Sequence, residues 1–127
     1  MIRSHIRQPA IALALGLALQ VPAAGWGHHS FAMFDKSKVV SVQGNVSKVE
    51  WANPHVFLFV QGKDASGKSA EYAIECASVN DLTHHGWKMG LVKVGDRVTV
   101  EIYPLRDGKP GGLLDAVTLA NGTKIKQ

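Results

Sequence analysis

Short stretches in which apolar and polar residues alternate dominate the chain after residue 38. Val40, Val42 and Val46 fall on one face of the first stretch, because side chains of a strand alternate between its two faces. Gly44 interrupts this stretch, and we expect a bulge or a bend there. Turn residues such as Asn53-Pro54 separate the stretches. The pattern predicts five strands, at residues 39–51, 55–61, 70–77, 97–103 and 113–119.

One short helix is predicted between the third and fourth strands, at residues 79–85. Ser78 can accept a hydrogen bond as its N-cap, with Asp81 three residues later. Gly86 suits the position that ends a helix. Trp87 then anchors the return of the chain to the strands. The tail at residues 123–127 carries no strand pattern, and we expect it to be loose.

Three strands, a helix and two more strands follow the order of an OB-fold, a five-stranded Greek-key barrel. We therefore predict an all-β protein with one short helix, arranged as a small five-stranded OB-like barrel at residues 39–122. An antiparallel β-sandwich is the alternative, because patterns of short strands do not separate the two architectures.

The first 25 residues have the pattern of a signal peptide. Arg3 and Arg7 precede an apolar run at residues 10–21, and small residues follow at 23–25. An uncleaved anchor is the alternative, but the apolar run is shorter than the about 20 residues that span a bilayer. We predict a signal peptide at 1–25, an N-terminal arm at 26–38 and a periplasmic location, with no membrane span after cleavage.

Charge limits the classes of partner. The 127 residues carry 14 Lys+Arg and 10 Asp+Glu, a formal charge of +4. Removal of Arg3 and Arg7 leaves 14 − 2 = 12 basic residues against 10 acidic ones, or +2. The basic residues are scattered singly, so nucleic acid is not expected as a partner. Cys76 is the single cysteine, and its strand-like surroundings predict a small buried apolar residue rather than a ligand or nucleophile.

His28 and His29 follow the signal segment directly and are candidate copper ligands, since Cu(II) favours nitrogen ligands in square-planar geometry. Cleavage after Gly25 would make His28 the third residue, able to bind Cu(II) or Ni(II) with the terminal amine and two amides. Cleavage after Gly27 would let the amine and ring of His28 chelate together, with one further imidazole needed. Cleavage after Ala23 would leave only the side chains, and a solvated polar arm is the alternative reading.

His55 is the third predicted metal ligand, completing a copper site with His28 and His29 if the arm folds back over the barrel. A partly buried histidine that is hydrogen-bonded at the strand edge is the alternative. His84 and His85 are adjacent on the predicted helix and point about 100° apart, so a structural role is favoured for them. A protein with this site would act as a copper carrier, sensor or accessory factor.

A second hypothesis is a non-catalytic OB-type binding module for a small molecule or a partner protein. Its ligand would contact Trp51, Asn53, His55 and Trp87, with Phe57 beside them. A third hypothesis is a structural subunit of a complex. No G-x-S-x-G, H-E-x-x-H, C-x-x-C or P-loop pattern occurs, so the case for an enzyme is weak.

Several motifs in combination resemble a family of small secreted bacterial proteins known only as a domain of unknown function. They cover nearly the whole mature chain and are His28-His29-Ser30-Phe31-Ala32-Met33-Phe34-Asp35, Glu50-Trp51-Ala52-Asn53-Pro54-His55-Val56, Gly86-Trp87, Gly95-Asp96 and Arg106-Asp107-Gly108. The resemblance implies a periplasmic protein with a compact β-rich domain and implies no established activity.

Overall fold

Six strands and one α-helix account for most of residues 31–127, the part of the chain that the computed structural model describes. The predicted signal peptide and the arm residues 26–30 lie outside the described residues. The elements are a 3₁₀ turn at Phe31–Met33, β1 at Val40–Glu50, β2 at Phe57–Asp64, β3 at Ser69–Glu75, α1 at Val79–His84, β4 at Arg97–Pro104, β5 at Gly111–Leu119 and β6 at Lys124–Lys126.

The first five strands close into a barrel. The sheet has the order β3-β2-β1-β4-β5-β6, and β3 also pairs with β5. That last pairing is parallel and sets Ala73 opposite Gly111 and Glu75 opposite Leu113. The prediction of an all-β, five-stranded barrel with one short helix is confirmed. A sandwich would require two separate sheets, whereas one continuous sheet forms here.

The barrel interior is filled from alternate positions of β1, β2 and β4, as the period-two pattern predicts. In β5, consecutive residues are buried. Val42 and Val46 of β1 are buried, and so are Leu82 of α1 and Trp87 after it. The helix begins as predicted, because the Oγ of Ser78 accepts a hydrogen bond of 3.1 Å from the backbone N–H of Asp81. The helix connects β3 to β4 in sequence and contributes Leu82 to the core.

Gly44 lies in a regularly paired part of β1. It stays in register, opposite Gly62 of β2 and Val98 of β4. We expected a bulge or a bend at Gly44. The irregularity in the β1–β2 ladder falls between Val46 and Lys48, so no bulge lies at Gly44. A Cβ on Gly44 would lie 2.2 Å from the carbonyl oxygen of Gln61. The glycine therefore allows the β1 and β2 backbones to approach closely.

The C-terminal tail is ordered, so the prediction of a loose tail is wrong. Val117 of β5 pairs with Ile125 of β6. Beyond Leu113, β5 no longer pairs with β3, and its open edge carries backbone groups that need partners. The β6 strand supplies those partners. The Nε1–H of Trp87 also donates a 3.1 Å hydrogen bond to the carbonyl oxygen of Lys126.

Gln127 joins the tail to two other parts of the barrel. Its Nε2 donates to the carbonyl oxygen of Leu114 at 2.7 Å. Its Oε1 accepts from the backbone N–H of Ala77, also at 2.7 Å. Ala77 lies between β3 and α1, so one side chain links that connection to β5.

The described part of the arm packs against the turn that follows β4. Phe34 is buried and forms a β-bridge with Leu105. The N–H of Asp35 donates to the carbonyl oxygen of Pro104 at 2.8 Å, and the N–H of Arg106 donates to that of Met33 at 2.9 Å. Among residues 31–127, no helix is long and apolar enough to cross a membrane.

Candidate functional site

His55 lies at the end of the loop between β1 and β2, on a backbone segment that extends the sheet. The N–H of Val56 donates to the carbonyl oxygen of Ala77 at 3.1 Å, and the N–H of Cys76 donates to that of Val56 at 2.8 Å. The preceding Asn53–Pro54 peptide bond is cis. The position of His55 is therefore fixed by backbone pairing with the end of β3.

The carbonyl of Cys76 and the carboxylate of Glu75 help to orient the imidazole of His55. Its Nδ1 lies 3.1 Å from the carbonyl oxygen of Cys76 and 3.5 Å from Oε1 of Glu75. Because a carbonyl oxygen only accepts hydrogen bonds, Nδ1 carries the proton in the neutral ring and Nε2 carries the lone pair. The side chain is 26% exposed. Such contacts are typical of a metal-binding histidine and also of a structural histidine at a strand edge.

Glu75 completes this arrangement, and sequence reasoning did not find it. It lies opposite Phe57 in the β2–β3 ladder, and it is the charged residue buried within residues 31–127, at 7% exposure. Buried carboxylates need partners, because burial removes their hydration. His55 and Glu75 are 20 residues apart in sequence, and only the register of β2 against β3 brings them together.

The other predicted contact residues have structural roles. The Oδ1 of Asn53 accepts a 3.0 Å hydrogen bond from the N–H of Val79, the first residue of α1. Trp51 is half-buried at the edge of the core. Trp87 is 2% exposed and belongs to the core, so its ring does not share an open surface with His55. Trp51, Asn53 and His55 do share one loop.

His28 and His29 lie outside the described residues, and the copper site that includes them stays a prediction. Within residues 31–127, no group of three or more His, Cys, Asp or Glu side chains is placed to hold a metal ion. The Nδ1 of His85 lies 2.8 Å from the carbonyl oxygen of Asp81 in its own helix turn, which agrees with the structural role favoured for it.

Cys76 is fully buried, as predicted. Burial raises the pKa of its thiol far above the ordinary value. The thiolate, which is the form that attacks electrophiles and binds metals, is therefore suppressed. The side chain of Cys76 therefore packs in the core, and the backbone carbonyl of the same residue contacts His55.

The outer face of β2 carries two aromatic rings, and one of them, Phe57, was placed beside the ligand in the binding-module hypothesis. Leu58 and Val60 fill the barrel interior, so Phe57 and Phe59 point outwards and remain partly exposed. Their ring centroids are 6.3 Å apart with an interplanar angle of 29°. The Nζ of Lys48 lies 5.2 Å from the centroid of Phe59.

Comparison with known proteins gives one match. The sequence profile of a family of unknown function, DUF6152, matches residues 17–116. The search of curated proteins and the search of solved structures each gave no match. The profile spans most of the chain and includes the loop that carries His55, and the expected resemblance to a family without established activity is confirmed. The chain therefore belongs to the DUF6152 family of proteins of unknown function.

Proposed function

We propose that this chain is exported and that its mature form is a periplasmic copper-binding protein, with His28, His29 and His55 as ligands. The observation that carries the proposal is the orientation of the His55 ring by the Cys76 carbonyl and the Glu75 carboxylate. A ring held in this way presents the lone pair of Nε2 in a fixed direction, which reduces the ordering needed when a metal binds.

The distance from the docked arm to His55 is consistent with a shared site. The path from Phe34 crosses to Leu105, then to Gly111, then to Ala73. Three such steps cover about 14 Å, at about 4.8 Å per strand. Three residues along β3, from Ala73 to Cys76, add about 10 Å at right angles. The direct distance from Phe34 to Cys76 is therefore about 17 Å or less, and the carbonyl oxygen of Cys76 lies 3.1 Å from Nδ1 of His55.

The chain before Phe34 is long enough to cover that distance. The three residues from His28 to Phe31 span at most about 11 Å. The 3₁₀ turn at Phe31–Met33 adds about 6 Å at about 2 Å per residue. The two lengths together reach about 17 Å, so an extended segment brings the backbone of His28 close to Cys76, and the His28 side chain covers the remaining step to the imidazole of His55.

The cleavage point decides the form of the copper site. Cleavage after Gly27 would give His28 a terminal amine that chelates with its own ring, and His55 would supply the further imidazole. Cleavage after Gly25 would allow His28 to bind copper with the amine and two amides, without His55. Nitrogen ligands in a square plane suit Cu(II) in both cases, and only the first requires the barrel.

Native mass spectrometry of the exported protein, before and after one equivalent of Cu(II), tests the proposal. The apo mass gives the mature N-terminus. We expect one retained copper, and we expect His55→Ala and Glu75→Gln each to weaken copper binding by about 10- to 100-fold. His84→Ala, at an exposed histidine of α1, is the matched control and should bind like the wild type.

Two results would contradict this function. If the wild-type protein retains no copper, the metal proposal is wrong. If copper is retained equally by the wild type and His55→Ala, but lost in His28→Ala, the site is confined to the N-terminus and the barrel takes no part. Circular dichroism of each variant separates loss of a ligand from loss of the fold.

A binding module is the second candidate function, favoured by the stacked pair of Phe57 and Phe59 on the outer face of β2. Partly exposed rings on a barrel face can stack against a planar ligand. Lys48 lies over the ring of Phe59 and would attract a planar ligand that is negatively charged. Retention of a co-purified small molecule in the native mass spectrum, lost in Phe59→Ala, would favour this function over copper binding.

A further inference from the structure

A cleft of about 320 Å³ opens at the end of the barrel where β2 ends and β3 begins. Three segments surround it: the N-terminal arm, the β2–β3 hairpin and the loop between β4 and β5. His55 is not part of it, because that residue lies where β2 begins. The volume falls at the lower end of the range of about 300–1,000 Å³ that small-ligand sites occupy.

Basic side chains predominate among the charged residues of the cleft. Four are basic, namely Lys38, Lys68, Arg106 and Lys109, whereas two are acidic, namely Asp35 and Asp64. The lining therefore has a formal charge of 4 − 2 = +2. Asp107 lies next to the lining, with its Oδ2 4.0 Å from the Nζ of Lys109.

Both acidic groups are already engaged in the turns that build the cleft. Oδ1 of Asp64 accepts hydrogen bonds from the hydroxyl of Ser66 at 2.6 Å, from the N–H of Ser66 at 2.9 Å and from the N–H of Lys68 at 3.0 Å. Oδ1 of Asp35 accepts from the N–H and the hydroxyl of Ser37. These bonds lower the pKa of both carboxyl groups below the ordinary value. Asp35 also pairs with two basic groups of the lining, with its Oδ2 3.6 Å from Nζ of Lys38 and its Oδ1 4.0 Å from Nη1 of Arg106. A bound anion therefore competes with Asp35 for these two cations.

Part of the cleft lining is apolar. Val40 contributes partly exposed surface to it, above the buried side chains of Tyr72 and Ile102. Pro104 and Leu105 add further apolar surface. A ligand that fits must therefore satisfy two conditions, a negative charge for the basic side chains and an apolar portion for the apolar part of the lining.

We propose that this cleft binds a small organic anion, of the class of monocarboxylates that carry one small apolar group. The basic side chains attract and pair with the carboxylate, and the apolar portion displaces water from the partly exposed surface of Val40, Pro104 and Leu105. The site is separate from the copper ligands and does not depend on the copper proposal.

Titration of the copper-free protein with benzoate, followed by ¹H–¹⁵N NMR, tests this inference. Benzyl alcohol has the ring without the charge, and inorganic phosphate has the charge without the ring. We expect saturable shifts at Tyr72, Gly108 and Gly111, with benzoate binding about tenfold more tightly than either comparison compound, since loss of one charge–charge contact or of an apolar contact reduces affinity by about that factor.

Two double variants distinguish the cleft from general surface charge. Lys68→Ala/Lys109→Ala removes two basic groups of the lining and should weaken benzoate binding by about fivefold or more. Lys88→Ala/Lys93→Ala removes two exposed lysines outside the lining and should bind benzoate like the wild type. The NMR spectra report directly that each variant is folded.

The inference is overturned by any of three results. These are the absence of saturable shifts at millimolar benzoate, equal binding of benzoate and benzyl alcohol, and equal weakening in the two double variants. Because copper is absent from every titration, none of these results affects the copper proposal.

Discussion

Replacing Gln127 with leucine removes the two hydrogen bonds that link the C-terminal tail to the barrel. The amide group of Gln127 bonds to Ala77 and Leu114 at 2.7 Å each, and leucine has a similar size but no polar atoms. Each bond contributes about 0.5–1.5 kcal/mol net, so the expected loss in the free energy of unfolding is about 1–3 kcal/mol. For a domain of this size, a loss of about 2 kcal/mol lowers Tm by about 8–16 °C.

Urea denaturation followed by tryptophan fluorescence measures this change, because the buried Trp87 becomes exposed on unfolding. The control is Lys126→Gln at the neighbouring residue. The Nζ of Lys126 lies 3.9 Å from Oδ2 of Asp115, and the Lys126 side chain is 68% exposed. Loss of this exposed ion pair should change the free energy of unfolding by about 0–1 kcal/mol. A Gln127→Leu variant within about 0.5 kcal/mol of the wild type, well below the contribution of two hydrogen bonds, would refute the reasoning.

Three further changes probe the barrel. Gly44→Ala places a Cβ 2.2 Å from a backbone oxygen of β2 and should lower the free energy of unfolding by about 1–3 kcal/mol; in urea denaturation, equal stability to Ser41→Ala on the exposed face of β1 would contradict this. Cys76 should react with iodoacetamide only after unfolding, as intact mass should show, because the thiol is buried; labelling of the native protein would contradict it. Hydrogen bonds from Ser66 and Lys68 lower the folded-state pKa of Asp64 below its ordinary value, so the stabilising contribution of this carboxylate is present above that ordinary value and is lost as the pH falls through the folded-state pKa. Asp64→Asn should flatten the decline in the free energy of unfolding at acid pH, measured by urea denaturation, and an unchanged decline would contradict this.

The strands and helix that the sequence predicted are those with strong local signals. The alternating valines of β1 and the cap formed by Ser78 and Asp81 depend on neighbouring residues alone. The β6 strand was missed for the opposite reason. Lys124–Lys126 has only three residues, and it becomes a strand because β5 offers an open edge once β3 ends. No local pattern contains that information.

Gly44 shows the limit of reading one residue type. A glycine within a strand indicates either a bulge or a close approach of two backbones, and the choice depends on where the neighbouring strand lies. In the structure, the irregularity of β1 lies at Ser47 instead. The sequence predicted that the first strand would be irregular, but the position depended on pairing with β2.

The candidate site was predicted in part. His55 was predicted as a metal ligand, with a hydrogen-bonded histidine at a strand edge as the alternative, and its ring has such a hydrogen bond. Asn53 stays a predicted ligand contact, and its side chain also accepts a hydrogen bond from the first residue of α1. The partnership of His55 with Glu75 could not be predicted, because it depends on the register between strands. The metal role of His28 and His29 depends on a cleavage point that the residues alone leave open.

The parallel pairing of β3 with β5 has a consequence for how the protein folds. Glu75 and Leu113 pair across 113 − 75 = 38 residues, whereas β1, β2 and β3 are joined by short connections. Contacts this distant in sequence slow folding to about milliseconds to seconds in all-β domains. Before the barrel closes, the edge of β3 is unpaired and can join a second chain instead. We expect the yield of refolding to fall as protein concentration rises, since closure competes with association.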